Sequence, residues 1–408
     1  MKIGIMGLGK LGLPVALAIE SKGHQVYGYD VSPAVLETIT SRVLPYKEVG
    51  AQELLEKTHI TWATPLEMAH ECDIVFLAIQ TPHDPKYEGA TRIPEERVDF
   101  NYDHLKAAAG KISEAAKEAG REIIVVIIST VLPTTLEREI YPLLNEFVHL
   151  CYNPFFIAMG TVVPDFLNPE FVLLGVKDQK TADKVKEFYA TIHDKPFAEM
   201  PVVDAELTKV AYNTFIGMKI VFVNTLMEIC QKVGGNVDNV TDAVKKATER
   251  LISPKYLSAG MGDGGGCHPR DNIAMSHIAR KLSLSHDFFE DLMLAREHQT
   301  EWLADIVVEK ASASGLPVII LGKSFKPETN IQTGSPAILL ANLLQEKGIE
   351  FKHIGEEEAI EVQKAVFFIA TKHAVYQGIK FPTDSIVIDP FGYIEYQRGV
   401  DLISIGRY

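Results

Sequence analysis

The sequence predicts an α/β chain: a doubly wound sheet domain, then a helical middle segment with one long helix, then a second, smaller α/β domain. Three observations predict it. Apolar runs of strand length alternate with helical stretches up to about residue 195. Residues 204–233 then contain no proline and repeat apolar residues at helical spacing, giving a helix of about 30 residues. From Pro317 the strand–helix alternation returns. The expected domains are therefore 1–195, 196–312 and 313–408.

Residues 2–6 read as a strand, 11–22 as a helix and 25–30 (QVYGYD) as a second strand. Cys72–Ile79 and Ile123–Ser129 read as buried strands, with a helix at 103–119 between them. Along the long helix, Leu207, Val210, Ala211, Phe215, Met218 and Phe222 recur at helical period, and further helices are expected at 238–250 and around 285–312. PVIILG, EFKHIG, AVFFIAT and SIVIDP are the strands of the last domain, with a helix at 336–347.

With 54 acidic and 40 basic residues the formal net charge is -14, which favours solubility and argues against a nucleic-acid or membrane-surface role. The apolar N-terminal run is interrupted by glycines and reads as strand, turn and helix rather than as a leader. No other stretch approaches the roughly 18 apolar residues of a membrane span. The four cysteines, Cys72, Cys151, Cys230 and Cys267, are widely spaced and form no metal-ligand pattern. No metal is expected, a reduced cytoplasmic protein is the natural reading, and one cysteine is free to be a working thiol.

GLGKLG at 7–12 has GxGxxG spacing, follows a strand and opens a helix, which is the context that gives this short motif meaning. Gly7 permits the tight turn, Gly9 lets a pyrophosphate approach the backbone, and Gly12 lets helix and strand pack closely. The helix start at Lys10 and Leu11 turns free N–H groups and a positive dipole end toward the phosphates. Asp30 ends the second strand 18 residues after Gly12, where a carboxylate accepts from a ribose diol and repels a 2′-phosphate. These residues predict an N-terminal Rossmann domain that binds NAD rather than NADP; FAD shares the fingerprint.

A second informative segment is GMGDGGGCHPRDN at 260–272, where five glycines precede Cys267 and Pro269 follows it. Proline favours a first helical turn, so Cys267 is expected at the mouth of a helix, where the dipole favours the thiolate. The glycines are expected to let a ligand approach the backbone. Asp271 lies one turn deeper. On the long helix Glu206, Lys209 and Asn213 share a face at i, i+3 and i+7, where an amine and an amide can donate to a developing oxyanion. The bland readings are an inert cysteine in a glycine loop and a solvated Glu206–Lys209 pair.

Taken together, several stretches resemble the UDP-glucose/GDP-mannose dehydrogenase family over nearly the whole chain. They are GLGKLG, AIQTP at 78–82, STVLPTT at 129–135, YNPFF at 152–156, DFLNPEFVLLG at 165–175, AELTKVAYNTFIGMKIVFVN at 205–224, the cysteine loop, and LGKSFKP at 321–327 with SPA at 335–337. That family oxidises the 6-hydroxymethyl of a nucleotide sugar to a carboxylate with two NAD. The resemblance implies that Cys267 attacks the intermediate aldehyde and passes through a thiohemiacetal and a thioester. It implies that Lys209 and Asn213 stabilise the oxyanions, that Asp271 positions water or acts in base chemistry, and that Thr130 holds a water or substrate oxygen beside the cofactor. Thr81 and Pro82 would lie near NAD, and Asn153, Phe155, Phe156, Tyr256, Gly264 and Lys326 would line the substrate site, Lys326 on the nucleotide side. The last domain would then be Rossmann-like, and the central helix would build a homodimer.

The departures cluster at the substrate. Phe155 stands where the family carries a glutamate assigned to water activation in thioester hydrolysis, and Met159 stands where many members have a second. Phe171, Thr333 and Phe391 replace arginines, Arg270 replaces a lysine, and the segment between the strands at 351 and 366 is about 20 residues short. A retained redox core with an altered, more apolar substrate grip is expected. UDP-glucose is the default substrate. The alternatives are an unusual nucleotide sugar or other alcohol oxidised by two electrons only, and a non-catalytic NAD- or nucleotide-binding protein.

Overall fold

The computed structural model describes residues 1–82, 84–248, 255, 258–262, 265–281, 287–358 and 363–407. The chain divides into two compact units, Met1–Pro82 with Asp99–Ala211, and His83–Val98 with Tyr212–Tyr408. The middle and last segments that the sequence separates at 312 thus cluster as one unit. They are joined there by 84–98, a stretch that the strand–helix alternation assigns to the first domain.

The first unit is built on eight strands: β1 (Lys2–Met6), β2 (Gln25–Tyr29), β3 (Thr61–Trp62), β4 (Ile74–Leu77), β5 (Ile123–Ile127), β6 (Val148–Tyr152), β7 (Val172–Val176) and β8 (Phe197–Met200). Their order is β3-β2-β1-β4-β5-β6-β7-β8. All neighbours run parallel except β6 and β7, the one exception to the parallel sheet expected. The chain reverses its direction across the sheet between β1 and β4, so the loops after these strands splay apart at their carboxyl ends and leave a crevice there. Ile3, Ile5, Ile74, Phe76 and Val126 pack against the helix Gly12–Ser21, whose residues Gly12 to Ile19 are all buried. A sheet covered on both faces explains why these strands read as continuous apolar runs.

The second unit holds β9 (Val318–Leu321), β10 (Phe351–Ile354), β11 (Val366–Ile369), β12 (Ile386–Asp389) and β13 (Asp401–Ser404), all parallel in the order β10-β9-β11-β12-β13. The edge strand β13 (DLIS) has only two apolar residues of four, and the strand pattern did not reveal it. Helices Cys267–Lys281, Phe288–Ser314 and Pro336–Glu346 belong to this unit, with the shorter Val237–Lys245 and Ala374–Gln377. The segment 84–98 is pinned to them: Arg92 pairs with Glu297, Glu301 and Glu346, and the buried Arg97 pairs with Glu290.

The long helix runs Val202–Val233, 32 residues, close to the span expected from its proline-free pattern. It corrects one expectation: by length and composition it is apolar enough to cross a membrane. The reason is packing. Val223 and Met227 are buried in the core of the second unit, and 53% of the helix's most apolar window lies inside the protein.

Candidate active site

The GxGxxG loop follows β1 directly, and each glycine has its own steric reason. Gly7 has φ +92°, and a Cβ there would meet the Ala78 carbonyl oxygen at 2.5 Å. A Cβ on Gly12 would sit 1.8 Å from the Gly7 carbonyl oxygen. Gly9 faces open space, with nothing within 4 Å of the same construction. Two glycines therefore serve the fold, and the third leaves a cradle above the start of the helix where a phosphate fits. Lys10 is exposed and Leu11 half-buried at that start.

Asp30 follows β2, and its carboxylate accepts from the backbone N–H of Leu8 at 2.7 Å and of Ser32 at 2.8 Å. These bonds fix the glycine loop to the end of β2 and hold the carboxylate beside the crevice. After β4, the Thr81 hydroxyl donates to the Thr130 carbonyl at 2.9 Å, and Ser129 donates to the Ile79 carbonyl. Thr81 is 3% exposed, so its hydroxyl ties two loops together. Pro82 and Thr130 are half-buried at the same carboxyl-end edge of the sheet.

Also in the first unit, Lys209 is buried and its ammonium donates to the Phe155 carbonyl at 2.9 Å, 5.1 Å from the centre of the Phe156 ring. The Phe156 ring in turn lies 4.7 Å from that of Phe171. Glu206, one turn earlier on the helix, accepts from the N–H of Thr134 at 2.6 Å and of Leu136 at 2.8 Å. Burial pushes its carboxyl up to about 7 against those two bonds. It shapes the loop after Thr130 rather than forming a solvated surface stripe.

Two residues expected at the substrate pocket make contacts within the protein. The half-buried Phe155 ring packs against Phe166 at 5.4 Å and Phe76 at 6.5 Å, while its carbonyl faces Lys209. Asn153 is 1% exposed, with its amide donating to the Leu173 carbonyl at 2.9 Å and accepting from the Tyr189 hydroxyl. The Asn153 side chain is thus engaged within the protein at both ends.

In the second unit, Cys267 is the first residue of the helix Cys267–Lys281 and its side chain is exposed, whereas Cys72, Cys151 and Cys230 are buried. Burial pushes the Cys72 thiol up to about 12 and the Cys151 thiol higher still. Asp271, one turn into the helix, is fully buried. One of its oxygens accepts from the Asn213 amide and the other from Arg270 at 3.0 Å. Because a carboxylate only accepts, the end of Asn213 that faces it is the NH2 group, which sets the orientation of that amide.

The described glycines of the cysteine loop pack closely against the protein. A Cβ on Gly260 would meet the Phe391 ring at 2.6 Å, on Gly262 Pro336 at 2.3 Å, on Gly265 the Phe325 ring at 2.5 Å, and on Gly266 the Thr333 carbonyl at 3.1 Å. Asn224 clamps the same loop, donating to the Gly262 carbonyl at 2.6 Å and accepting from the Gly260 N–H at 3.1 Å. Sequence reasoning missed Asn224; an amide on the apolar face of the long helix was the available signal. Lys326 lies beside Phe325 on the turn that braces Gly265. Tyr256 and Gly264 lie outside the described residues.

Residues 1–193 match the UDP-glucose/GDP-mannose dehydrogenase family, NAD binding domain, and residues 203–296 match the same family's central domain. The chain is 28% identical to a UDP-glucose 6-dehydrogenase of Bacillus subtilis over 356 residues, 84% of this chain and 77% of that one. It is 27% identical to GDP-mannose 6-dehydrogenase of Pseudomonas aeruginosa over 365 residues, 86% and 80% of the two chains. Its fold superposes on the UDP-glucose dehydrogenase of Pyrobaculum islandicum with a TM-score of 0.85 at 24% identity, covering 100% of this chain and 98% of that one. It superposes on the UDP-D-ManNAc dehydrogenase of Pyrococcus horikoshii with a TM-score of 0.83 at 20% identity, covering 100% and 99%.

Proposed function

We propose that this chain, which belongs to the UDP-glucose/GDP-mannose dehydrogenase family, oxidises the C6 alcohol of a nucleotide sugar to the carboxylate through a covalent adduct on Cys267. It is an NAD-dependent nucleotide-sugar dehydrogenase. The observation that carries the mechanism is the exposed Cys267 at the start of its helix, one turn from an Asn213–Asp271–Arg270 set.

Gly9 and Asp30 would hold the phosphates and the ribose of NAD, which would supply the hydride acceptor for two oxidations. Cys267 sulfur bonds to the carbon of the intermediate aldehyde, and the carbonyl oxygen becomes an oxyanion. The Asn213 amide and the Lys209 ammonium, one turn apart on the long helix, are the donors for that oxygen. Loss of the second hydride leaves a thioester, and water then releases the carboxylate and the thiol. Asp271 acts by positioning, since both its oxygens are engaged by neighbours. Thr130 contributes at the cofactor edge, and Lys326 contacts the nucleotide side of the substrate.

UDP-glucose is the first substrate to try. Phe171, Thr333 and Phe391 in place of arginines support a nucleotide sugar with fewer charged contacts. A second reading, oxidation by two electrons only, is favoured by one observation: position 155 is Phe, so it offers no carboxylate to activate water. Phe215 and Phe222, two turns apart on the long helix and 40% and 54% exposed, support a homodimer. The acidic balance and four free cysteines support a cytoplasmic location.

The test is NADH formed per sugar consumed, with UDP-glucose and then GDP-mannose and UDP-N-acetylmannosamine, in the parent chain and in Cys267→Ser. Two NADH per sugar, lost in the serine variant, is the expected result. One NADH, or a stalled adduct on Cys267, selects the two-electron reading. No NADH from any of the sugars, with NAD still bound, rejects the assignment.

A further inference from the structure

Along the cysteine loop the braces on the glycines come from the last domain, and three of them are side chains: Phe391 at Gly260, Pro336 at Gly262 and Phe325 at Gly265. At Gly266, next to the thiol, backbone meets backbone. A Cβ on Gly334 would lie 2.1 Å from Gly266 Cα and 2.6 Å from its nitrogen, with the Glu88 carbonyl oxygen 3.2 Å away. A ring can turn aside from an added methyl group, but a main chain has to move bodily.

Both glycines sit in closed turns that open helices. The His268 N–H donates to the Gly265 carbonyl at 3.3 Å, which puts Gly266 and Cys267 at the centre of one turn, at the start of the helix Cys267–Lys281. The Ser335 N–H donates to the Gln332 carbonyl at 2.9 Å, which puts Thr333 and Gly334 at the centre of the other. Gly334 has φ +67°, in the left-handed region. Ser335 then caps the helix Pro336–Glu346, its hydroxyl accepting from the Ala337 N–H at 3.2 Å. The two sides differ in stiffness. Leu339, Leu340, Leu343 and Leu344 bury that helix, whereas the approach to Cys267 is glycine. A wedge between the turns therefore moves the side that carries the thiol.

We propose that Gly334 is a positioning residue: having no side chain, it lets the turn before Pro336 lie directly on Gly266 and so sets where the Cys267 sulfur stands. The proposal rests on the reading of Cys267 as the thiol that attacks the intermediate aldehyde. Ordinary contact begins at 3.4 Å, so Gly334→Ala must part the two turns by about 1 Å or more, a displacement worth about a hundredfold in rate. The first hydride leaves the alcohol before sulfur attacks. The loss therefore falls on the second oxidation and spares the first.

Gly315 supplies the comparison. It has the same φ, +67°, with nothing within 4 Å of a Cβ, and it ends the helix Phe288–Ser314 in the same unit. Gly315→Ala carries the backbone strain of Gly334→Ala without the wedge. It should melt about 2–4 °C below the parent chain and oxidise UDP-glucose at the parent rate.

Two measurements on the full chain test this. Crystal structures of the parent, Gly334→Ala and Gly315→Ala read the position of Cys267. Single turnovers, with enzyme and NAD in excess over UDP-glucose, read the two NADH separately, and free aldehyde is counted as its hydrazone. In Gly334→Ala, Cys267 is expected to shift by about 1 Å, the first NADH to form at the parent rate and the second to be delayed about a hundredfold. Gly315→Ala should show neither change. Gly266→Ala presses the same contact more gently, since its Cβ would meet the Thr333 carbonyl oxygen at 3.1 Å. It should show the same split at smaller amplitude, and it carries the test if Gly334→Ala does not fold.

Cys267 unmoved in Gly334→Ala, both NADH slowed alike, or a delayed second NADH in Gly315→Ala overturns the proposal. If the parent chain forms one NADH or none while Cys267 moves in Gly334→Ala alone, Gly334 still places the sulfur, and it is the reading of the thiol's task that fails.

Discussion

The Lys209 ammonium donates to the backbone carbonyl of Phe155 at 2.9 Å, so the residue standing in the family's glutamate position touches the site through its main chain. Its half-buried ring packs against Phe76 and Phe166. Phe155→Glu should therefore not restore a water-activating acid. It places a carboxylate among aromatic rings, at a cost of about 3 kcal/mol or more. Thermal melting should fall by about 6–12 °C, with no gain in the second oxidation. A variant as stable as its parent, releasing carboxylate faster, would place the side chain in the site instead.

Glu206 gives the chain a pH dependence of unusual sign for an acid. Its ordinary value of 4.5 applies unfolded, and burial pushes it to about 7 folded. Between those values the folded chain holds the extra proton. The contribution is thus fully present below pH 4.5 and is lost as pH rises through 7. Allowing for solvent screening, the span is about 1–2 kcal/mol. Glu206→Gln should flatten this slope in denaturant titrations at pH 5 and 8. It should also cost about 1 kcal/mol throughout, because an amide accepts from only one of the Thr134 and Leu136 N–H groups. An unchanged slope would mean that the carboxylate is already ionised at pH 5.

How far the sequence reached can be judged from particular residues. Gly7, Gly9, Gly12 and the long helix were legible because their constraints are local: a φ, a close approach, a period. Cys267 at a helix mouth was legible from Pro269 two residues on. The packing of the Phe155 ring was not, since nothing in YNPFF says which way a ring turns. The assignment of 84–98 to the second unit depends on ion pairs to helices some 200 residues later, which no local pattern records. The packing of the loop glycines was hidden for the same reason: their partners Phe325, Pro336 and Phe391 come from another domain of the sequence.

Native alkylation should single out Cys267. The other three thiols are buried, and a buried thiol reacts only when the chain opens. Brief iodoacetamide treatment should add one group per native chain, at Cys267 by peptide mass, and four after denaturation. Turnover should vanish with that first group while NAD binding persists, because the cofactor cradle lies in the other unit. Labelling spread over several cysteines in native protein would contradict the burial pattern.

Phe215 and Phe222 present apolar surface two turns apart. If this face is the homodimer contact, Phe222→Glu should raise the dimer dissociation constant by about a hundredfold or more, as burying an unpaired charge in an interface does. Sedimentation velocity at micromolar concentration reads this directly. A parent chain that is monomeric would remove the premise.

The Asn224 clamp holds the loop that leads to the thiol. Its amide holds both Gly260 and Gly262, and it is buried on the helix that also carries Asn213. Removing it leaves one buried N–H and one buried carbonyl without this partner, at about 1–3 kcal/mol. Asn224→Ala should therefore loosen the approach to Cys267 and lower kcat by about ten- to a hundredfold. The Kd for NAD should stay the same, because Gly9 and Asp30 belong to the first unit and Asn224 to the second. Asn224→Asp is the sharper variant. It still accepts from Gly260 but faces the Gly262 carbonyl with a second acceptor, so it should be worse than a conservative change suggests. Equal loss of NAD affinity and kcat in both variants would mean that the clamp supports the whole chain rather than the thiol.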